Sequence, residues 1–251
     1  MKATGNIRSA VPADLPLIHE WLKQEGSSSG GFINNWGMIQ DACAEQEMIV
    51  FAGAEGPVGF ITRGLSLSTI IQTKSTYQRK GIGRALVEHA LAEEEAKGNA
   101  VVVLQCAPES SVEFWLAMGF EAHRYGNHTH SVYMQRLSKA KRAHVQGDDL
   151  SLVTITVYPQ AVLYSNDIKP DRVHYVMGKF DYDTRTLDLA HRVSIASESK
   201  LGDQVIEIDF GGFEIYRGKA KRTEAAAVGV KSTPNYCGWY LDVIYLDGNA
   251  Q

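Results

Sequence analysis

The chain has 251 residues, 44% hydrophobic and 22% charged, which admits one large domain or two ordinary ones with a real core. Its net charge of -4 is evenly shared: residues 1–140 hold 12 basic and 14 acidic side chains, and residues 141–251 hold 13 and 15, so neither half has the basic excess of a non-specific nucleic-acid binder. Cys43, Cys106 and Cys237 are far apart and form no C-x-x-C, and no apolar stretch has a membrane span's length, which argues against a disulfide framework, a thiolate metal site and a membrane protein.

The N-terminal segment lacks the apolar run of a secretory leader, so a cytoplasmic protein is expected. The pattern predicts a short strand at "NIRSAV", then a helix from Asp14 with the stripe Leu15, Ile18, Trp21 and Leu22. A polar, glycine-rich loop follows from Gly26 to Gly37, holding Phe32, Ile33 and Trp36, and a short helix covers Trp36 to Ala44. "MIVFAGAEGPVGFITRG" reads as two strands around Glu55-Gly56-Pro57, and "STIIQTKS" as another. Beyond Gly81, the residues Ile82, Leu86, Val87, Ala90 and Leu91 share one helical face, with Glu93 and Lys97 as an i,i+4 pair and Gly98 as the stop. "AVVVLQC" suits a strand covered on both faces, "SSVEFWLAMGF" a short helix ended by Gly119, and "FEAHRYGNHTHSVYMQRL" two strands joined near Gly126-Asn127. A polar linker, residues 139–149, leads to alternating, β-branched and aromatic segments; residues 150–251 are expected to form a separate, mainly antiparallel β domain. "TEAAAVGV" is ambiguous.

One short stretch carries chemistry. In "TYQRKGIGRALVEHALAEEEAKG", a strand is followed by a turn with Gly81 and Gly83 and then a helix. The first amides of that helix have no helical partner and point out at the positive end of its dipole, which suits an anion. Missing Cβ atoms allow close approach, and Arg79, Lys80 and Arg84 add positive charge. The same residues also fit a plain glycine turn with surface cations. It is neither a P-loop nor G-x-G-x-x-G, since position 86 is leucine.

Gln78-Arg79-Lys80-Gly81-Ile82-Gly83 resembles the Q/R-x-x-G-x-G/A motif of the GCN5-related N-acetyltransferase (GNAT) superfamily. Tyr77, the helix after Gly83 and the Phe114–Phe120 segment F-W-x-x-x-G-F occur in the same order as in that family, so the resemblance covers residues ~5–138. It implies an α/β fold with a mixed sheet splayed between its fourth and fifth strands and acetyl-CoA in the split. It further implies that Gln78 and the amides of Arg79, Lys80, Gly81, Ile82, Gly83 and Arg84 hold the CoA pyrophosphate. The backbone of Ile71, Gln72 and Thr73 would pair with the pantetheine arm like an added strand, and Ser111, Phe114 and Trp115 would flank the thiol end. An acyl-CoA brings an activated thioester, so the protein's task is to align an amine and stabilise an oxyanion, for which the amide near Thr73 is the natural donor. The segment Phe32, Ile33, Asn34, Asn35 and Trp36 corresponds to the family's cover over the acceptor; equally, its apolar residues fit a staple to the core.

The match weakens at the chemistry. Trp115 stands where many members have a tyrosine that protonates the leaving thiolate, and an indole N–H cannot do so. The fourth strand has no Glu, Asp or His for a base. Proton transfer then runs through water, or through Tyr125, Tyr133, His128 or His130, or the domain binds CoA without turnover. His123, His128 and His130 lack the accompanying ligands of a metal site, and none is expected. Cys106, ending an apolar strand, reads as a buried small residue and not a nucleophile.

The reading is an acetyl-CoA-dependent N-acetyltransferase acting on a primary amine of a small molecule or protein. The alternative is a catalytically inactive CoA-binding adaptor. In the β domain, the basic run Arg217, Lys219, Lys221 and Arg222 with Phe213 and Tyr216 reads as a solvated strand end and not a nucleic-acid surface. The aromatic "NYCGWYLDVIYLDG" reads as core or as an interface, a homodimer included.

Overall fold

The computed structural model describes residues 4–26, 32–123, 132–138, 149–165, 167–195, 204–232 and 239–246. The chain forms two compact units, residues 1–99 and 100–251. In the first, β1 (Asn6–Ser9), β2 (Met48–Gly53), β3 (Gly56–Thr62) and β4 (Ile71–Thr73) form an antiparallel sheet in that order. The helices α1 (Asp14–Glu25) and α2 (Trp36–Ala44) pack on one face through Ile18, Trp21, Leu22 and Ile39 against Met48, Val50 and Phe60. On the other face lies α3 (Ile82–Ala96) with its buried stripe Ile82, Leu86, Val87, Ala90 and Leu91. Gly59 makes this possible, because a Cβ there would come within 2.8 Å of the Ile82 side chain.

Three details differ from the pattern reading. The β2–β3 hairpin turns on Ala54-Glu55, since Gly53 already pairs with Gly56, so Pro57 lies within β3. β4 is only three residues long: the Thr69 hydroxyl donates to the Gly64 carbonyl and accepts from the Ser66 amide, local bonds that compete with the ladder. The Lys97 ammonium pairs with the Glu94 carboxylate (2.8 Å), while the Glu93 carboxylate faces His89; i and i+3 are neighbours on a helix as much as i and i+4. Gly98 does end α3, at φ 78°.

Asp14 opens α1 and is almost fully buried. Arg8 donates to both its oxygens (2.7 and 2.8 Å) and the Val11 amide adds a third bond at 2.9 Å. The Arg8 bonds hold the Asp14 carboxyl below its ordinary value of 3.8, against the opposing effect of burial. A depressed folded pKa contributes stability above the unfolded pKa and loses it as pH falls through the folded one. Asp14→Asn is therefore expected to destabilise by about 1–3 kcal/mol at neutral pH, a gap that closes below pH 4. Urea unfolding of both proteins from pH 7 to 2.5 measures it, and a pH-independent gap would refute the ionic assignment.

The second unit begins with β5 (Val101–Cys106), α4 (Val112–Ala117), β6 (Glu121–His123) and β7 (Val132–Leu137), the strands forming an antiparallel sheet β5-β7-β6. Among the described residues no strand pairing joins β4 to β5. A seven-stranded antiparallel sheet follows, ordered β12-β11-β8-β9-β10-β14-β13. These strands are β8 (Leu150–Tyr158), β9 (Arg172–Asp181), β10 (Thr186–Ser194), β11 (Val205–Phe210), β12 (Phe213–Lys219), β13 (Lys231–Ser232) and β14 (Trp239–Tyr245). Alternation buries one face around Ile155, Leu187, Ile208, Leu241 and Ile244, and the ambiguous segment is a short helix α5 (Thr223–Ala227) that seals this core with Ala225. Gln135 of β7 donates to the Ser194 hydroxyl of β10 at 2.7 Å, Arg172 of β9 meets Glu121 of β6 at 3.0 Å, and Tyr240 of β14 packs on Val101 and Val103 of β5.

Candidate functional site

The glycine turn stands between β4 and α3. Gly81 is left-handed at φ 88°, and so is Arg79 at φ 58°, a conformation that strains any residue with a Cβ. The first helical bond is Ala85 N–H to the Gly81 carbonyl, and no side chain caps the helix. Among the described residues, the amides of 79 to 84 donate to no backbone carbonyl outside the helix. The first amides of α3 lie at the positive end of its dipole, where an anion is favoured.

Of the basic side chains, Arg79 is exposed. Lys80 turns back, donating to the Thr76 carbonyl (2.8 Å) with its ammonium over the Tyr77 ring at 4.6 Å. Arg84 faces Glu88 at 3.6 Å on the exposed side of α3.

β4 offers its outer edge, since it ends the four-stranded sheet. Thr62 N–H to Ile70 O and Lys74 N–H to Val58 O fix the register, so residues 70, 72 and 74 spend their peptide groups on β3. The N–H and C=O of Ile71 and Thr73 consequently face the open edge. Gln78 already donates there, its Nε2 to the Thr73 carbonyl at 3.3 Å. The expected backbone role of Gln72 is thereby corrected: its peptide serves β3, and its side chain does something else. Its Oε1 accepts from the Phe32 amide (3.0 Å) and its Nε2 donates to Glu25 Oε2 (2.7 Å). Nothing in the sequence marks Gln72 or Glu25 for this contact.

In the acceptor segment, Phe32–Asn35 form a 3-10 turn that runs into α2. Phe32, Ile33 and Trp36 are half-buried on the core of α1, α2 and β3, and Trp36 lies on the His19 ring with centroids 4.4 Å apart. Asn34 is exposed, and the Asn35 amide reaches the Met38 sulfur at 3.6 Å.

The other unit carries Ser111, Phe114 and Trp115 on and just before α4. Trp115 is buried, edge-on to Phe114 (5.1 Å) and Phe120 (5.2 Å), so it works as packing. The Ser111 hydroxyl bonds the Pro108 carbonyl at 2.8 Å. Tyr133 is half-buried beside Val101 and Val103. Tyr125, His128 and His130 lie outside the described residues. Among the described residues no His, Cys, Asp or Glu cluster is placed to hold a metal ion.

Burial pushes the Cys106 thiol up to about 11, with a smaller opposing effect from a Ser111 hydrogen bond. At pH 8 about one molecule in a thousand carries the thiolate. Iodoacetamide at that pH should leave Cys106 unlabelled in the folded protein and alkylate it in urea, read by peptide mass spectrometry; rapid native labelling would reopen a nucleophilic role.

A cleft of about 520 Å³ lies towards the far end of α3, lined by Gln46, Glu47, Arg63, Glu93 and Lys97 among others. Arg63 is paired with Glu45 and Glu47, and Lys97 with Glu94, so its charge is spent internally. No helix among the described residues is long and apolar enough to cross a membrane.

The family model described as an acetyltransferase (GNAT) domain matches residues 43–122, from the end of α2 to β6. Solved structures to which the chain is similar include Ard1 from Thermoplasma volcanium, at 20% identity over 54% of this chain and 99% of that one (TM-score 0.44). A second is the PaiA N-acetyltransferase from Thermoplasma acidophilum in complex with coenzyme A, at 15% identity over 54% and 99% (TM-score 0.43). A third is the ribosomal-protein-S18-alanine N-acetyltransferase from Escherichia coli, at 19% over 56% and 98% (TM-score 0.42). No curated protein matches the chain. The glycine turn, its flanking strand and helix all fall inside residues 43–122, the part of the chain that matches the GNAT acetyltransferase domain model, with everything from residue 150 onward outside the match.

Proposed function

We propose that the chain is an acetyl-CoA-dependent N-acetyltransferase that transfers an acetyl group to a primary amine of a small molecule or protein by direct attack in a ternary complex. The carrying observation is the pairing of two features in one unit: open amides before α3, and an edge strand that turns the peptide groups of Ile71 and Thr73 outward. The first fits a pyrophosphate, with Arg79 at its rim; the second fits an extended amide-bearing arm laid along a strand edge. PaiA was crystallised with coenzyme A, which has both parts.

Acetyl-CoA would supply the activated thioester. The Thr73 N–H is directed to stabilise charge on a carbonyl oxygen at the edge of β4. The segment from Phe32 to Trp36 forms the acceptor wall, with Asn34 as its open polar group. Ser111, Phe114 and Trp115 flank the thiol end. The proton leaves through water or through Tyr125, Tyr133, His128 or His130. Residues 1–138 make up the transferase domain, 139–149 the linker, and 150–251 a β-rich accessory domain that shapes or selects the acceptor.

Trp115 favours a second reading. It is buried between two aromatic rings and donates no acidic proton, as suits a CoA-binding adaptor without turnover. Calorimetric titration with acetyl-CoA, followed by thiol release against a panel of amines, separates the two. Binding with amine-stimulated release supports the enzyme, binding without release under any amine supports the adaptor, and absence of binding removes both.

A further inference from the structure

We infer that Gln72 is a positioning residue that couples occupancy of the β4 edge to the acceptor segment, an inference that rests on the acyl-CoA reading of that edge. Its side chain projects on the α1/α2 face, opposite Phe60 in the register. There its two amide atoms hold the two residues that flank positions 26–31: Glu25, the last residue of α1, and Phe32, the first of the 3-10 turn. A carboxylate at a helix C-terminus is disfavoured by the dipole. Glu25 is kept in place by a second donor as well, the Ser75 amide just beyond β4. Both ends of the acceptor connection are therefore tied to one side chain, whose neighbours in sequence, Ile71 and Thr73, present their peptides to the open edge.

A ligand lying on that edge orders residues 71–73, and Gln72 transmits the order to the Phe32 amide. Coupling of this kind needs no large movement, only that the same residue be fixed for both sites. The consequence is an acceptor wall that becomes better defined once the acyl donor is bound.

Hydrogen exchange tests it in two arms. In the free protein, Gln72→Leu should speed exchange at the Phe32 amide about tenfold, the loss of one protecting bond. With saturating acetyl-CoA, the wild type should slow exchange across residues 32–36, and Gln72→Leu should lose that slowing while binding acetyl-CoA within about twofold of wild type. The exchange of partners Gln72→Glu with Glu25→Gln keeps these three bonds, because the amide at 25 can accept from Ser75 and donate to the carboxylate at 72, which still accepts from Phe32. The double variant should regain the slowing, whereas Gln72→Glu alone, which sets a second carboxylate against Glu25, should not. Unchanged Phe32 exchange in Gln72→Leu overturns the anchor. An intact anchor whose protection by acetyl-CoA survives Gln72→Leu overturns the coupling. If wild type fails to bind acetyl-CoA, the acyl-CoA reading and the coupling fall together, and the free-protein arm alone still decides the anchor.

Discussion

Gly83→Glu should abolish acetyl-CoA binding in a protein that folds as well as wild type. The substitution suits the helix: glutamate has a higher helical propensity than glycine, and a negative charge in the first turn of α3 is favoured by the dipole. What it removes is the anion's place. A carboxylate and its stem would occupy the space before the open amides and repel a pyrophosphate there. Losing two or more charge-assisted bonds amounts to about 3 kcal/mol or more, a loss of at least about a hundredfold in affinity. The basic side chains should matter less and unequally. Arg79→Ala is expected to cost about tenfold, and Lys80→Ala less, because Lys80 is committed to the Thr76 carbonyl and the Tyr77 ring. Calorimetry on circular-dichroism-checked variants measures all three. A folded Gly83→Glu with wild-type affinity would remove the pyrophosphate from this turn, and the site would have to be sought elsewhere.

What the sequence disclosed here was whatever repeats locally. The stripe from Ile82 to Leu91 and the glycine after Lys97 placed α3, because helical burial and its C-cap are properties of neighbours in sequence. The turn at Gly81 was legible for the same reason. β4 was overestimated because Ser66 and Thr69 bond their own backbone, a competition that apolar periodicity does not register. The clamp at Gln72 was invisible: its partners lie 47 and 40 residues away, and glutamine in a short strand signals nothing by itself. Phe32, Ile33 and Trp36 rest half-buried on the α1/α2 core and Asn34 is exposed, an arrangement that suits a staple and an acceptor wall alike. The polar stretch at 139–149 reads as a boundary by composition; the division into compact units falls at residues 99 and 100, before β5, and groups β5–β7 with the later strands. Composition marks where a chain can leave a fold; it does not say which strands then pack together.

That division carries the second large effect. A fragment ending at Ser138 retains every residue of the proposed transferase domain but strips β5, β6 and β7 of the sheet they pack on in the second unit. Tyr240 leaves the cluster of Val101 and Val103, which are now only 6% and 4% exposed, and Arg172 leaves Glu121. Gln135, 1% exposed, loses the Ser194 hydroxyl from its amide. At about 25 cal/mol per Å² of apolar surface and about 1 kcal/mol for the buried hydrogen bond, the loss is about 3 kcal/mol or more. That is a large share of the 5–15 kcal/mol total of a typical domain. Residues 1–138 should therefore aggregate or melt about 10 °C below the full chain. Tyr240→Ala in the full chain gives a milder check at about 1–3 kcal/mol, with the thermal midpoint falling and the β domain otherwise intact. A fragment as stable as the whole would make residues 150–251 an appendage. If the fragment fails and Tyr240→Ala weakens the whole, the β domain is the support on which β5–β7 of the proposed transferase domain are built.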